Sequence, residues 1–215
     1  MKIYRYYPIF AILFFMVMCS YCSLGQGRTT SLFDGTTLHG WKTVKPENQK
    51  LWSVRDSMIV AGDGLHKIAA NTYLHTIKTY KNFEFRCLFK LTGDEKTGMI
   101  NSGIQYRSVL DKGTIVGYQA DIGNGYWGDI YDEHRRERLV GADLHTLKHV
   151  LHKEGWNSYI IRCVGNHHEI YINGVKTADY IEKDTTIPDS GVIAVQIHGG
   201  GIAQVAFRDL VIEEL

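Results

Sequence analysis

Two short stretches carry polar residues of the types that hold sugar hydroxyls, where an ordinary solvated strand would show Lys, Glu and Thr. In Asn101-Ser-Gly-Ile-Gln-Tyr-Arg107, the residues Asn101, Gln105 and Arg107 alternate with Ser102, Ile104 and Tyr106. Between Gly117 and Ile122, Gln119 and Asp121 alternate with Tyr118, Ala120 and Ile122. Successive strand side chains point to opposite faces, so each polar set shares one side. Neighbouring strands of this kind present amides, a guanidinium and a carboxylate together, a set able to bracket vicinal hydroxyls. The same residue types also serve as buried structural hydrogen-bond formers or as the polar face of an exposed sheet.

Parity brings further residues to the same side. Ile193, Val195 and Ile197 occupy one face of their strand, so Gln196 and His198 point the other way, toward Gln119 and Asp121 if the strands share a sheet. Asp129 and Tyr131 oppose Ile130. Trp127, beside Tyr126 in a Gly-flanked turn, offers an aromatic platform for a pyranose ring. Glu84 and Arg86 oppose the apolar set Phe83, Phe85, Cys87 and Phe89, and a surface ion pair is their simpler reading. His145, His149, His152 and the pair His167-His168 lie in polar connections or beside a hairpin, where solvated histidines are expected.

These residues need strands to hold them, and the chain alternates short apolar-patterned runs with turns. The pattern predicts strands at 51–61, 72–77, 82–91, 99–108, 114–122, 128–132, 157–164, 168–172, 175–180, 191–198 and 204–213, with a helical turn at 144–151. Asn173-Gly174 reads as a tight hairpin turn, since both residues tolerate positive φ. The architecture expected is all-β: two antiparallel sheets packed face to face as a jelly roll of the concanavalin A-like lectin and glucanase type, with one curved sheet carrying the polar cleft.

A chain of 215 residues with 44% hydrophobic content buries a sizeable core, and three prolines with no internal repeat give no linker. The net charge of +1 without a basic block does not point to nucleic acid. At the start, Met1-Lys2-Ile3-Tyr4-Arg5, an apolar run from Ile9 to Met18 and the small residues Ser23-Leu24-Gly25 follow the order of a cleaved secretory leader. The expected division is therefore a signal peptide at 1–25 and one domain at 26–215, exported to the periplasm or beyond. The apolar run is shorter than the roughly 20 residues of a membrane span. Lipid attachment at Cys19 or Cys22 is the alternative, although Met18 and Tyr21 stand where small residues are wanted. Cys87 and Cys163 hold core parity and read as buried apolar side chains, with a disulfide open to them only if their strands are neighbours. No CxxC, HExxH, GxSxG or P-loop occurs, no Glu-x-Asp-x-x-Glu supplies paired hydrolytic carboxylates on one strand, and Gly199-Gly-Gly201 reads as a turn.

The 101–107 and 117–133 segments, the opening Leu32-Phe-Asp-Gly-Thr-Thr-Leu-His-Gly-Trp41, and the closing Val195-Gln-Ile-His-Gly199 with Val205-Ala-Phe-Arg-Asp-Leu210 together resemble the 3-keto-disaccharide hydrolase family, in the family's order and over nearly all of the mature chain. The resemblance implies a carbohydrate substrate already oxidised at carbon 3, whose ketone acidifies the carbon-2 proton. A base takes that proton, the enediolate expels the group on carbon 1, and water adds to the unsaturated sugar. It further implies that His198 or Asp121 acts as the base, that Arg107 or a divalent metal ion holds the enediolate oxygens, and that Arg136 borders the site with Asn101, Gln105, Gln119, Trp127, Asp129, Tyr131 and Gln196 as substrate contacts. Gln119 stands where many relatives carry a glutamate, which puts a carboxylate role at that position in doubt. A sugar-binding domain without catalysis is the alternative.

Overall fold

A computed structural model describes residues 28–215; the expected leader, with Cys19 and Cys22, lies outside the described residues. The described chain forms two antiparallel sheets. In chain order the strands are β1 (Thr29–Ser31), β2 (Trp41–Thr43), β3 (Trp52–Arg55), β4 (Met58–Ala61), β5 (Thr72–Tyr80), β6 (Phe83–Asp94), β7 (Asn101–Asp111), β8 (Thr114–Gly123), β9 (Ile130–Glu133), β10 (Glu137–Val140), β11 (Asn157–Val164), β12 (His167–Ile172), β13 (Val175–Ile181), β14 (Gly191–Ile197) and β15 (Ile202–Glu214), with one short α-helix, α1 (Leu144–Leu147), and 3-10 helices at Pro46–Leu51 and Glu95–Thr97. One sheet runs β13-β12-β11-β6-β15-β4-β3, with β1 paired to β15, and the other runs β10-β9-β8-β7-β14-β5-β2.

Alternation builds the core between them. From β6, Phe83, Phe85, Cys87 and Phe89 point inward, and from β15, Val205 and Phe207 do the same. Ile104, Tyr118 and Val195 of the second sheet meet them. Each buried aromatic or branched side chain contributes about 1.5–3 kcal/mol, so this interlocked set fixes the relation of the sheets. The Asn173-Gly174 hairpin forms as expected, with φ of 49° and 79° joining β12 to β13.

Three expectations change. The strand expected at 51–61 is a hairpin, because Asp56 and Ser57 both adopt positive φ (48° and 57°) and turn the chain between β3 and β4. The helical turn expected at 144–151 is helical only as α1. His168 is not a solvated loop residue: it shares inward parity with Ile170 and Ile172 and is enclosed by the rings of Tyr106, Tyr118 and Tyr180. Cys87 and Cys163 are buried and free. Cys87 faces Tyr159 across the β6–β11 pair while Cys163 faces Phe83, a separation of about 13 Å along the strands that no disulfide spans.

Burial first, and then the nearby Arg107 guanidinium, push the His168 imidazole down to about 3. A histidine depressed in the fold gives stability that is complete above its unfolded pKa of about 6.5 and is lost as pH falls toward the folded value. Urea denaturation at pH 5 should therefore show about 2 kcal/mol less stability than at pH 7, and His168→Gln should flatten that slope. An unchanged slope in the variant contradicts the assignment.

Candidate active site

The central strands of the second sheet are buried on both faces. Asn101 through Ser108 of β7 and the whole of β14 are shielded from solvent although only one face of each meets the core. Their other face forms the floor of a cleft of about 380 Å³, lined by Asn101, Gln119, Asp121, Tyr131 and His198, with Tyr126 and Glu133 among the walls.

A directed chain of hydrogen bonds runs across this floor. Ser108 Oγ donates to Gln105 Oε1 at 2.9 Å, Gln105 Nε2 donates to Gln119 Oε1 at 2.7 Å, and Gln119 Nε2 donates to Asp121 Oδ1 at 2.6 Å. All four residues are buried, and each amide uses its oxygen to accept and its nitrogen to donate, so the order of the chain fixes both flips. Oδ1 of Asp121 is thereby committed as an acceptor. Oδ2 takes no hydrogen bond from the described residues and is the atom left for a proton or a ligand. Gly103, opposite Asp121 in register, makes the chain possible: a Cβ there would lie 2.6 Å from Cγ and Cδ of Gln119.

Burial drives the Asp121 carboxyl well above the ordinary carboxylate range, and the negative charges of Asp129 and Glu133 push the same way, while the Gln119 hydrogen bond opposes them. His198 is half-buried, and its Nδ1 lies 2.5 Å from the carbonyl oxygen of Gly199. A carbonyl only accepts, so Nδ1 carries the hydrogen and a neutral ring keeps its lone pair on Nε2. Glu133, held at Oε1 by Tyr73 Oη at 3.0 Å and by Asn71 Nδ2 at 3.5 Å, adds a second carboxyl.

Of the residues the sequence nominates, Asn101, Gln119, Asp121, Tyr131 and His198 line the cleft, and Gln105 lies in its floor. Gln196 is also beneath the floor, donating from Nε2 to Tyr73 Oη at 3.3 Å and leaving Oε1 buried without a partner. Asp129 lies beside the cleft and not on its wall, fully buried, accepting from the Ala142 amide at 2.7 Å and paired with Arg138.

Arg107, Trp127 and Arg136 are elsewhere. A β-bulge between Tyr106 and Val109, with Arg107 at φ 46°, breaks the alternation of β7. It turns Ser108 to the cleft side and sends the guanidinium to the carbonyls of Lys81 and Gly165. Trp127 is in the core, stacked on Phe89 with ring centroids 6.2 Å apart, and Tyr126 takes the place at the cleft. Arg136 pairs with Asp132 and, through both terminal nitrogens, with Glu182. It is a structural clamp on β9. Its neighbour Arg135 reaches the cleft with its charge answered by Asp132. Glu84 and Arg86 form the expected ion pair on the outer face of the first sheet. Met99, Glu133, His134, Arg135 and Glu137 also line the cleft without being nominated from the sequence; of these Glu133 shares the parity of Tyr131 but stands in the charge run 132–138.

Among the described residues, the grouping whose ligand atoms approach one another within 4.8 Å is His167, Glu169 and Asp179, on the other sheet, and Lys176 already bonds both of its carboxylates.

The family model of the 3-keto-α-glucoside-1,2-lyase-like domain matches residues 28–213. The chain belongs to that family. No curated protein matches the sequence. Among solved structures, a candidate glycosyl hydrolase from Parabacteroides distasonis is similar at 23% identity, over 88% of this chain and 94% of that one, with a TM-score of 0.61. The carbohydrate-binding module CBM66 from Bacillus subtilis is similar at 13% identity, over 81% and 96%, with a TM-score of 0.60. A Bacillus subtilis protein with a galectin-like fold reaches 0.63 at 10% identity, over 87% and 94%. At these identities the solved structures show the jelly-roll fold that the two sheets display, while the family match makes the chain carbohydrate-related.

Gly103→Ala tests the floor. The new methyl group displaces Gln119, costing about 1–3 kcal/mol in urea denaturation with the β-rich circular dichroism retained. Wild-type stability in this variant shows that Gln119 does not need the gap.

Proposed function

We propose that the chain is an exported enzyme that cleaves 3-keto-glycosides by elimination and hydration, with His198 as the base and Asp121 as a neutral acid. The observation that carries this reading is the pairing, in one cleft, of an imidazole with its Nε2 lone pair free and a carboxyl held above its usual range with Oδ2 free.

The chemistry follows from those two atoms. His198 Nε2 takes the carbon-2 proton, and negative charge moves to the carbon-3 oxygen. With Arg107 turned away from the cleft, that oxygen needs another donor. A protonated Asp121 donates from Oδ2, as a carboxylic acid kept neutral in an apolar site can. The enediolate then re-forms the carbonyl and a carbon-1 to carbon-2 double bond forms. The bond from carbon 1 to its oxygen breaks, and that oxygen leaves with the proton held by His198. Water adds across the double bond to complete the hydrolysis. Export rests on the order of charged, apolar and small residues in 1–25.

His198→Ala should lower kcat for a methyl 3-keto-glucoside by about 10²–10⁴-fold, the worth of a positioned base. Asp121→Ala should lose about 10²–10³-fold, whereas Asp121→Asn, which keeps a donor at the same place, should retain most of the rate. In wild type the rate should fall with rising pH as Asp121 loses its proton, at a midpoint above the ordinary carboxylate range, and the asparagine variant should lose that limb. An asparagine variant as slow as the alanine one makes Asp121 the base. A wild type that binds the sugar without turnover assigns the cleft to binding alone.

A further inference from the structure

We infer that the outer face of the first sheet carries a separate binding site for an acidic polysaccharide, in a groove across β3, β4, β15 and β6 that reaches Trp156. The inference is independent of the reaction proposed above, because this face belongs to the sheet that does not build the cleft. The groove has a volume of about 550 Å³, an apolar floor and cationic sides. Val60 and Ala206 pair in register on β4 and β15. They alternate with the core residues Ile59, Ala61, Val205 and Phe207 and so point outward, yet only 3% and 8% of their surfaces are exposed. Arg55, Lys90 and Arg208 line the groove with them.

Elsewhere on this face the charges are matched: Arg86 pairs with Glu84, Arg162 with Glu84 and Glu169, and Lys176 with Glu169 and Asp179. Around the groove they are not. Among the described residues, Lys90 forms no ion pair or side-chain hydrogen bond, and Arg55 gives one hydrogen bond, from Nε to Ser53 Oγ at 3.1 Å. Arg208 Nε stands 3.7 Å from the Asp209 carboxylate and is buried without a hydrogen-bond partner. Asp56 is the one acid among the lining residues, against three cations. Arg208 lies over the Trp156 ring, its Cζ 4.5 Å from the centroid, which fixes the guanidinium before a ligand arrives and lowers the ordering cost of binding. Lys90 faces Ala206 and is therefore the diagonal neighbour of Arg208, with bases about 7–8 Å apart, close enough for one chain to meet both. A uronate chain offers what this surface lacks: ring faces for the apolar floor and a carboxylate on each ring for the cations. A phosphate backbone would draw on a wider basic field, and a net charge of +1 supplies none. The enclosed floor and the Trp156 ring favour sugar rings over a flexible acidic peptide.

Titration of nitrogen-15-labelled protein with tetragalacturonate tests the site. Amide shifts should map to β4, β6 and β15 and spare β7, β8 and β14, and affinity should weaken as salt rises. Lys90→Gln and Arg208→Gln each remove a charge-assisted hydrogen bond from a surface side chain, so each should raise Kd about tenfold with the circular dichroism unchanged, while His198→Ala in the cleft should leave Kd as it is. Absence of binding, shifts confined to the cleft strands, or wild-type affinity in both glutamine variants overturns the site. Maltotetraose binding as tightly as tetragalacturonate removes the cations from recognition and overturns it too. Tetraglutamate or tetrathymidylate binding as tightly reassigns the groove to acidic peptides or to nucleic acid and overturns the polysaccharide.

Discussion

The cleft depends on one hydrogen bond, from Gln119 Nε2 to Asp121 Oδ1. A carboxyl in the middle of a sheet is costly to ionise, and without a fixed partner it would turn or recruit water. The amide both orients the group and limits how far burial can raise its pKa. Everything upstream serves that contact. Gly103 leaves the space, Gln105 and Ser108 complete the chain, and the β7 bulge delivers Ser108 to the right face. A chain of aligned amides in a low-dielectric floor polarises each member, so its effect at Asp121 exceeds that of one isolated amide.

The same bulge removes the cation. Arg107 is spent on backbone carbonyls at the far end of β7, where it ties Lys81 and Gly165 together and helps keep His168 neutral. Arg136 is likewise committed to Asp132 and Glu182, and Arg135 to Asp132. The cleft therefore carries three carboxyls, Asp121, Glu133 and Glu137, with no unpaired guanidinium facing them among the described residues. For the proposed reaction, this favours a proton shared with a developing oxyanion over a fixed positive charge. Arg107, Arg135 and Arg136 are all spent on holding the fold.

Much of this was legible in the sequence wherever a strand runs unbroken. The alternation in β8 and β14 put Gln119, Asp121, Gln196 and His198 on one face, and the core set of β6 followed from the same rule. Legibility ended where the backbone breaks phase. Arg107 sits at a bulge with no glycine to announce it, and Asp56-Ser57 makes a positive-φ turn from residues that are weak turn formers beside Asn-Gly. Trp127 was ambiguous because a Gly-flanked turn does not say which of two adjacent aromatics turns inward. His168 and Glu133 had readable parity that their polar neighbours obscured.

The most direct measurement of the central claim is the titration of the Asp121 side-chain carboxyl, followed by carbon-13 NMR in selectively labelled protein and repeated in Gln119→Leu. The account predicts a midpoint above the ordinary carboxylate range in wild type, displaced further upward when the Gln119 amide is removed, with the other aspartates unchanged. A wild-type midpoint within the ordinary range, or one that Gln119→Leu leaves in place, would contradict it.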